Sequence, residues 1–481
     1  MLEKNASFGG AAGTYRSGPI LVEASLHELD GLDEDDPKLP TLRELGLDEA
    51  LEFVEVGDLF EVRSPLLGEP FSLTAEPERA IDVAGERFPR HASALPNYFR
   101  RLKAIRSFAS TGLRHQDDRL WWLANGPRLL PGLATFLGHS RRSLGDVMGS
   151  LFGDDEAVKL ALAANMQYYA DDPDRLWFPF YALGQGSYHA GGGHYVRGGS
   201  TRLVDVLVER IRSRGGEVEP GRRVTRIVMS DGRVAGAEHE AAKEGGDRQV
   251  DEAPIVLAGP APLNIARLLP DTVAPGFAKR YSGRSLSLSL WAIAIGFDRP
   301  PSEFGVRSYS TWIFPEWMRS LRELRGSVDL LRDAPGERTP HFILCDYSSI
   351  DSGLPAPPYV GSINGLDDLS VWEGLTPEED RDRRQRWTER IIEALDREFP
   401  GIAGSVVHAE MTTSRSVERY IGTPRGVIYG FAPEPPRTWF FRPGTSVKGL
   451  YLASAWTGLG GYSGAIVGGA QAARAALRAR G

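Results

Sequence analysis

The chain has one cysteine, Cys345, among 481 residues. A single thiol can build neither an internal disulfide framework nor a cysteine zinc site, and it fits a reducing compartment such as the cytoplasm. The nine histidines are scattered, with no HExxH and no pair at i, i+4, so no metal site is expected. Long apolar runs are also missing. The longest, LSLSLWAIAIGF at 286–297, falls well short of the roughly 20 residues a membrane-spanning helix needs, and its alternation predicts a strand. The first residues carry no basic segment followed by an apolar one, so no secretory leader is expected. Neither sign of charge dominates: 56 Lys and Arg against 64 Asp and Glu leave a net charge of −8. That balance argues against nucleic acid as a partner, because nucleic-acid-binding domains are usually basic.

What is present is an ordinary globular composition, 41% hydrophobic and 25% charged, on a chain too long for one compact core. Residues 35–48 are Pro-rich and then helical, with Thr41 as the expected N-cap. Short strands are expected over 50–78 and helices over about 79–180. From 193 the pattern is clearest. Ser200 is expected to cap a helix whose Leu203, Val204, Leu207, Val208 and Ile211 form one stripe, and Gly215-Gly216 ends it. A short strand is expected near Val218. A hairpin follows, turned at Asp231-Gly232, then PIVLAG at 254–259 as a buried strand. Strands are expected at 284–298 and 341–347. A long helix over 377–398 starts at Thr376 with Pro377 at its first position. The chain closes with a strand at Leu450–Ser454, a glycine loop and an Ala-rich helix.

Three glycine-rich stretches could hold a ligand. Glu3 ends an apolar strand and is followed by Gly9 and Gly10; such an acidic residue can accept hydrogen bonds from a ribose, and glycines allow close backbone approach. The 193–239 module is the second. The third is the C-terminal loop and helix, with Gly458, Gly460, Gly461, Gly464, Gly468 and Gly469. A helix N-terminus offers free N–H groups and partial positive charge, and Gly464, Gly468 and Ala472 share one tightly packing face. Each stretch alone is also compatible with plain packing. GYSGA at 461–465 approaches the GxSxG of serine hydrolases, but the strand ends about nine residues before Ser463, too far for a nucleophile elbow.

In this order, LEKNASFGG at the start, GGHYVRGGSTRLVDVLVERIRSRGGEVEPGRRVTRI in the middle, and GTPRGVIYGF with GLYLASAWTGLGGYSGAIVGG at the end resemble the motifs of the FAD-dependent carotenoid desaturase, carotenoid isomerase and retinol saturase family. That family lies within the amine-oxidase-like flavoproteins. The resemblance spans nearly the whole chain and is loosest over 80–180. It implies an α/β fold, a Rossmann-like FAD-binding domain interleaved with an α+β substrate domain. Residues 1–78, 186–275 and 421–481 would build the FAD-binding domain, 79–185 a helical substrate- or membrane-facing region, and 276–420 the substrate domain. FAD is the implied cofactor. Glu3 would bind its ribose; Gly9 and Gly10 would pass under the dinucleotide; Val224 would pair with the adenine; Ser454 would sit near the pyrophosphate or ribitol. Gly460, Gly461, Tyr462, Ser463 and Gly464 would cap the last helix at the pyrimidine side of the flavin. Tyr188, His189 and His194 would line the substrate side; plain loop residues with local hydrogen bonds are the alternative. No catalytic residue is named.

The chain departs from the family in two places. No GxGxxG strand, turn and helix precedes Glu3, which implies a late start codon or a truncated gene, or a separate chain that supplies the segment. Ala11 stands where the family commonly has Arg. The implied activity is desaturation, isomerisation or saturation of an apolar polyene by hydride transfer with flavin; the alternative is a flavoprotein-like chain that binds no FAD by itself. A lipid-like substrate implies peripheral contact with the inner face of the membrane. DRLWWLANGPRLLPGLATFLG at 118–138 would suit that contact, an apolar tunnel mouth or a core helix pair.

Overall fold

The computed structural model describes residues 1–116, 118–243, 246–435 and 442–479. A seven-stranded mixed sheet organises the larger half. Its order is Val406–Thr412, Ser289–Phe297, Tyr359–Asp367, Phe342–Asp346, Ser310–Ile313, Phe60–Arg63 and Phe71–Leu73. All neighbours are antiparallel except Ser310–Ile313 beside Phe60–Arg63. The alternation at 286–290 runs on into a fully apolar stretch because Ser289–Phe297 is a central strand, covered on both faces. Trp291 and Trp312 on this sheet, and Trp387 on the helix Pro377–Glu398, are inaccessible to solvent. Burying such side chains contributes about 25 cal/mol per Å² of apolar surface. Helices between Pro77 and Gly191 pack against the Phe71–Leu73 edge.

The smaller half is assembled from distant segments. Leu2 pairs in parallel with Glu219, and the Arg222 N–H donates to the Glu3 carbonyl at 2.7 Å. Val256–Ala258 pairs in parallel with Leu450–Leu452. Among the described residues these two parallel pairings belong to separate ladders. The hairpin of Arg222–Ser230 and Arg233–Ala241 turns at Asp231 and Gly232, both with positive φ, the signature of a two-residue hairpin turn. A three-stranded sheet of Leu29–Asp30, Gly193–Val196 and Phe53–Glu55 joins the halves.

Several expectations need correction. Thr41 lies inside the helix Leu39–Glu44, which starts at Lys38 because Pro40 needs no N–H partner in a first turn. Ser200 is the first residue of the helix Ser200–Ser213, not its cap; Gly199 precedes it with φ of +86°. The capping acceptor is Glu23, a carboxylate from far away in sequence. The strand 254–259 shortens to Val256–Ala258, and Leu257 on it is 48% exposed, since one of its faces lacks a covering layer. The last strand ends at Leu452 and Ser454 opens the 3-10 turn Ala455–Thr457. Tyr188 and His189 lie on the helix Phe178–Gly191 and His194 on a strand, not in a loop. The core-pair alternative for 118–138 does not hold. The helices Arg119–Asn125 and Leu130–His139 have no buried residue, and Leu120 and Leu123 are 79% and 78% exposed. The cap of the 377–398 helix stands as expected: Thr376 and Glu379 exchange hydrogen bonds as a capping box.

Candidate functional site

The three glycine-rich stretches meet at one place, and residues 23–30, EASLHELD, hold them together. Glu23 is buried. It accepts from the Ser200 N–H at 2.8 Å and the Ser200 hydroxyl at 2.6 Å, and from the Leu26 N–H at 3.1 Å. The carboxylate thus anchors the N-terminus of the 200–213 helix, where negative charge is favoured. Burial still raises its pKa, the hydrogen bonds opposing. The Ser25 hydroxyl donates to the Ala11 carbonyl at 2.7 Å and lies 3.1 Å from the Tyr462 hydroxyl. This links the loop after Gly9-Gly10 to the start of the C-terminal helix. Thr14 N–H donates to the Thr201 hydroxyl at 2.7 Å, which ties the same loop to the middle module.

The C-terminal helix, Gly461–Arg478, begins at this junction. A Cβ on Gly464 would overlap the Leu459 carbonyl; one on Gly468 would lie 2.5 Å from the Ser454 carbonyl and 2.6 Å from the Thr457 hydroxyl. Ala472 on the same face is fully buried. The small face therefore lets the helix seat on the loop that precedes it. Gly460 and Gly461 lie beneath Tyr429. Ser463 donates to Asp30 Oδ1 at 2.6 Å. A carboxylate is its partner, not a histidine, so the nucleophile-elbow geometry is absent from Ser463.

Asp30 belongs to a buried charge cluster. Lys38 Nζ lies 2.8 Å from Asp36 Oδ2 and 3.3 Å from Asp30 Oδ1. Burial works against the Lys38 ammonium, but the two carboxylates outweigh it and hold its pKa above the ordinary value. Burial likewise opposes the Asp30 charge, and Lys38 with Ser463 brings its pKa below the ordinary value.

Glu28 sits on the same segment. The chain around it is clamped by two tyrosines of the large sheet region: Tyr309 donates to the His27 carbonyl at 2.5 Å and Tyr347 to the Leu26 carbonyl at 3.2 Å. Tyr188 hydrogen-bonds to Glu28, and the Glu28 charge raises the pKa of Tyr168 and Tyr169 further. Glu28, His27 and Tyr168 are densely surrounded yet keep partial access. Burial lowers the pKa of His27 to about 4, leaving it neutral. Tyr169 also lines a cavity of about 290 Å³ walled by residues 286–289 and Val427.

The sequence-derived residues fall into place unevenly. Gly9 and Gly10 take positive φ, and a Cβ on Gly9 would meet the Ala12 carbonyl and Val204. Glu3 accepts from the Asn5 N–H at 2.8 Å. Ser454 Oγ is buried with no hydrogen-bond partner. Val224 lies in the outer strand of its sheet, at a bulge opposite His239. Tyr188 joins the Glu28 surroundings. His194 pairs with Leu29 and Glu55 beside them and keeps Nδ1 unpartnered. His189 turns the other way: its Nδ1 bonds to the Ala75 carbonyl at 2.8 Å and its ring packs edge-on to Phe99. Glu23, Glu28, Asp30 and Lys38 were missed. The available signal was the set of carboxylates at 23, 28 and 30 inside an otherwise apolar stretch. Among the described residues no group of three or more His, Cys, Asp or Glu is placed to hold a metal ion.

No family model matches the chain. It is 23% identical to the all-trans-retinol 13,14-reductase of Danio rerio over 97% of this chain and 80% of that protein. It is also 23% identical to the 4,4'-diapolycopen-4-al dehydrogenase of Metabacillus indicus, over 76% of this chain and 69% of that protein. Among solved structures, cyclohexylamine oxidase from Brevibacterium oxydans superimposes with a TM-score of 0.57 at 14% identity, covering 100% of this chain and 93% of the other. These relatives bear out the resemblance to the carotenoid and retinol oxidoreductases. The fold is a mixed α/β one, shared with this solved oxidase structure.

Proposed function

We propose that the protein is an FAD-dependent oxidoreductase that acts on the carbon–carbon double bonds of an apolar polyene. The observation that carries this reading is the convergence of all three glycine-rich stretches on the start of the C-terminal helix, beside the unpartnered Ser454 hydroxyl. An unpaired buried hydroxyl costs about 1–3 kcal/mol, which a ligand oxygen or nitrogen at that position would offset. The similarity to a retinol reductase and a diapolycopene aldehyde dehydrogenase supports the substrate class.

The residues present fit the cofactor. Glu3 would take the ribose hydroxyls, Gly9 and Gly10 would run beneath the dinucleotide, and Val224 would offer backbone to the adenine. Ser454 would contact the central part of the molecule. Gly460 to Gly464 would face the electron-rich edge of the ring, where the helix N-terminus favours negative charge. When bound, FAD supplies two-electron hydride chemistry. The chain contributes orientation: the tyrosines around Glu28 give the substrate side a largely apolar, water-poor wall, which Tyr188 and His194 join.

The exposed face of the 119–139 helices is proposed as the contact with the lipid phase that holds the substrate. Leu120, Leu123, Leu130 and Leu137 are all more than half exposed, with Arg119 just before them and Arg128 between Leu123 and Leu130. Such a face lies in an interface without crossing it. No helix among the described residues is long and apolar enough to cross a membrane.

The test is an absorption spectrum of the purified chain between about 300 and 550 nm, the range of flavin absorption, before and after adding FAD. A flavin spectrum that stays with the protein through gel filtration supports the reading. A protein that stays colourless after FAD is added overturns it for this chain and favours a flavoprotein-like fold that binds none.

A further inference from the structure

Glu28 is a half-buried carboxyl that the fold leaves partly unsatisfied. Its Oε2 is inaccessible and has no hydrogen-bond partner. The Glu23 carboxylate five residues earlier shows the contrast, with four donors from its own chain. An unsatisfied buried carboxylate oxygen is expensive and persists where it serves a ligand or a reaction.

Its position is fixed from several sides. A Cβ on Gly193 would overlap Oε2, so the glycine there makes room for the carboxyl. Tyr309 and Tyr347 hold the backbone on its N-terminal side. Two residues later Asp30 bonds to Ser463 in the first turn of the C-terminal helix. Glu28 thus stands within one short segment of the proposed ring-binding edge, partly accessible and hydrogen-bonded to the Tyr188 phenol.

We propose that Glu28 is the proton-exchanging residue of the polyene reaction, the side chain that gives a proton to, or takes one from, the carbon adjacent to the one that exchanges hydride. This rests on the flavin reading above. In the reducing direction, the Glu28 O–H bond would break and its proton would form a C–H bond at the alkene carbon next to the one that takes hydride, which bound, reduced FAD would supply. The alkene gains two electrons, the flavin loses two, and Glu28 is left as a carboxylate that solvent reprotonates. In the oxidising direction each transfer reverses and the carboxylate accepts the proton.

The surroundings suit both directions. The titratable groups that face Glu28 are Tyr188 from the 178–191 helix, Tyr168 and Tyr169 from the turn before it, Tyr309 and Cys345 from the large sheet region, and Asp30 on its own segment. The phenols and the thiol stay neutral, because burial raises them further. Burial pushes the Glu28 carboxyl up to about 8, Tyr188 opposing and the Asp30 charge adding to the rise. A general acid–base is most effective when its pKa lies near the working pH.

The experiment uses the full chain as wild type, Glu28→Gln and Glu28→Asp. The first readout needs no cofactor: infrared difference spectra of the apoprotein across a pH titration. A protonated-carboxyl stretch that persists past neutral pH and is missing from Glu28→Gln is expected. If that variant does not fold, a shift of the band in Glu28→Asp assigns it instead: an unshifted band, or carboxyls that all titrate in the ordinary range, overturn the proposal. The second readout is turnover of all-trans-retinol with FAD and dithionite. Glu28→Gln is expected to bind FAD normally and lose about 10²–10³ in kcat, with the pH dependence of kcat flattened and partial rescue by Glu28→Asp. Unchanged kcat and pH profile in Glu28→Gln would overturn the proposal while leaving the flavin reading intact. A wild type that takes up no FAD would overturn the flavin reading instead.

Discussion

Two glycines on one helix should respond oppositely to the same substitution. Gly464 and Gly469 both lie in the helix Gly461–Arg478. A Cβ on Gly469 meets nothing within 4 Å. Gly469→Ala should therefore gain the helix propensity difference, about 1 kcal/mol, with no packing cost. A Cβ on Gly464 overlaps the Leu459 carbonyl, and a backbone atom cannot swing aside like a side-chain tip. Either the 457–460 loop or the first helical turn must move, which threatens the Gly464 N–H to Gly460 carbonyl bond of 3.0 Å. Overpacking of this kind costs about 1–3 kcal/mol, and contact with an immobile backbone carbonyl puts this site toward the upper end, so the net effect of Gly464→Ala, after the propensity gain of about 1 kcal/mol, is a loss of up to about 2 kcal/mol. Differential scanning calorimetry of both variants beside the wild type measures this: Tm should rise slightly for Gly469→Ala and fall for Gly464→Ala. Gel filtration after FAD loading should show cofactor retained by the first and depleted in the second. Equal Tm changes of the same sign would refute the seating of this helix on its loop.

Three further outcomes follow from the geometry. Ser454→Ala removes a hydroxyl without a protein partner, so Tm of the apoprotein should hold or rise by about 1 kcal/mol equivalent while FAD dissociates faster; a drop in apoprotein Tm would mean the hydroxyl has a structural role. Glu28 has its folded pKa raised from 4.5 to about 8, so its contribution is intact below pH 4.5 and is lost as pH rises through 8. At about 1.4 kcal/mol per unit the loss reaches at most about 5 kcal/mol; denaturant unfolding of wild type should weaken more steeply between pH 4.5 and 8 than that of Glu28→Gln and level off above pH 8, and parallel curves would sink the idea. Leu120→Glu with Leu123→Glu should leave Tm unchanged and abolish co-sedimentation with vesicles of mixed phosphatidylcholine and phosphatidylglycerol; undiminished binding would place the lipid contact elsewhere.

The sequence by itself determined the elements whose signals are local. Asp231-Gly232 fixed a hairpin turn because positive φ at both positions leaves few alternatives. Thr376, Pro377 and Glu379 fixed a helix start through a capping box and a proline that lacks an N–H. The spacing of Gly464, Gly468 and Ala472 marked a tightly packed helix face, and the order of the glycine-rich motifs pointed to the fold class. What only the tertiary structure decided is which groups meet. Ser200 looked like a cap because its type suits one, but Glu23, 177 residues away, takes that place, and no local rule could supply it. His189 and Tyr188 are adjacent in sequence yet turn apart, one to Ala75 and Phe99, the other to Glu28, because successive side chains on a helix diverge by about 100°. The exposed leucines of 119–139 have the same composition as a core pair; only the absence of a layer above them distinguishes the two. Residues 23–30 read as an apolar stretch with a few stray charges. Their carboxylates acquire meaning through partners brought from the middle and the end of the chain, and hydrogen bonding and desolvation depend on that company rather than on sequence neighbours.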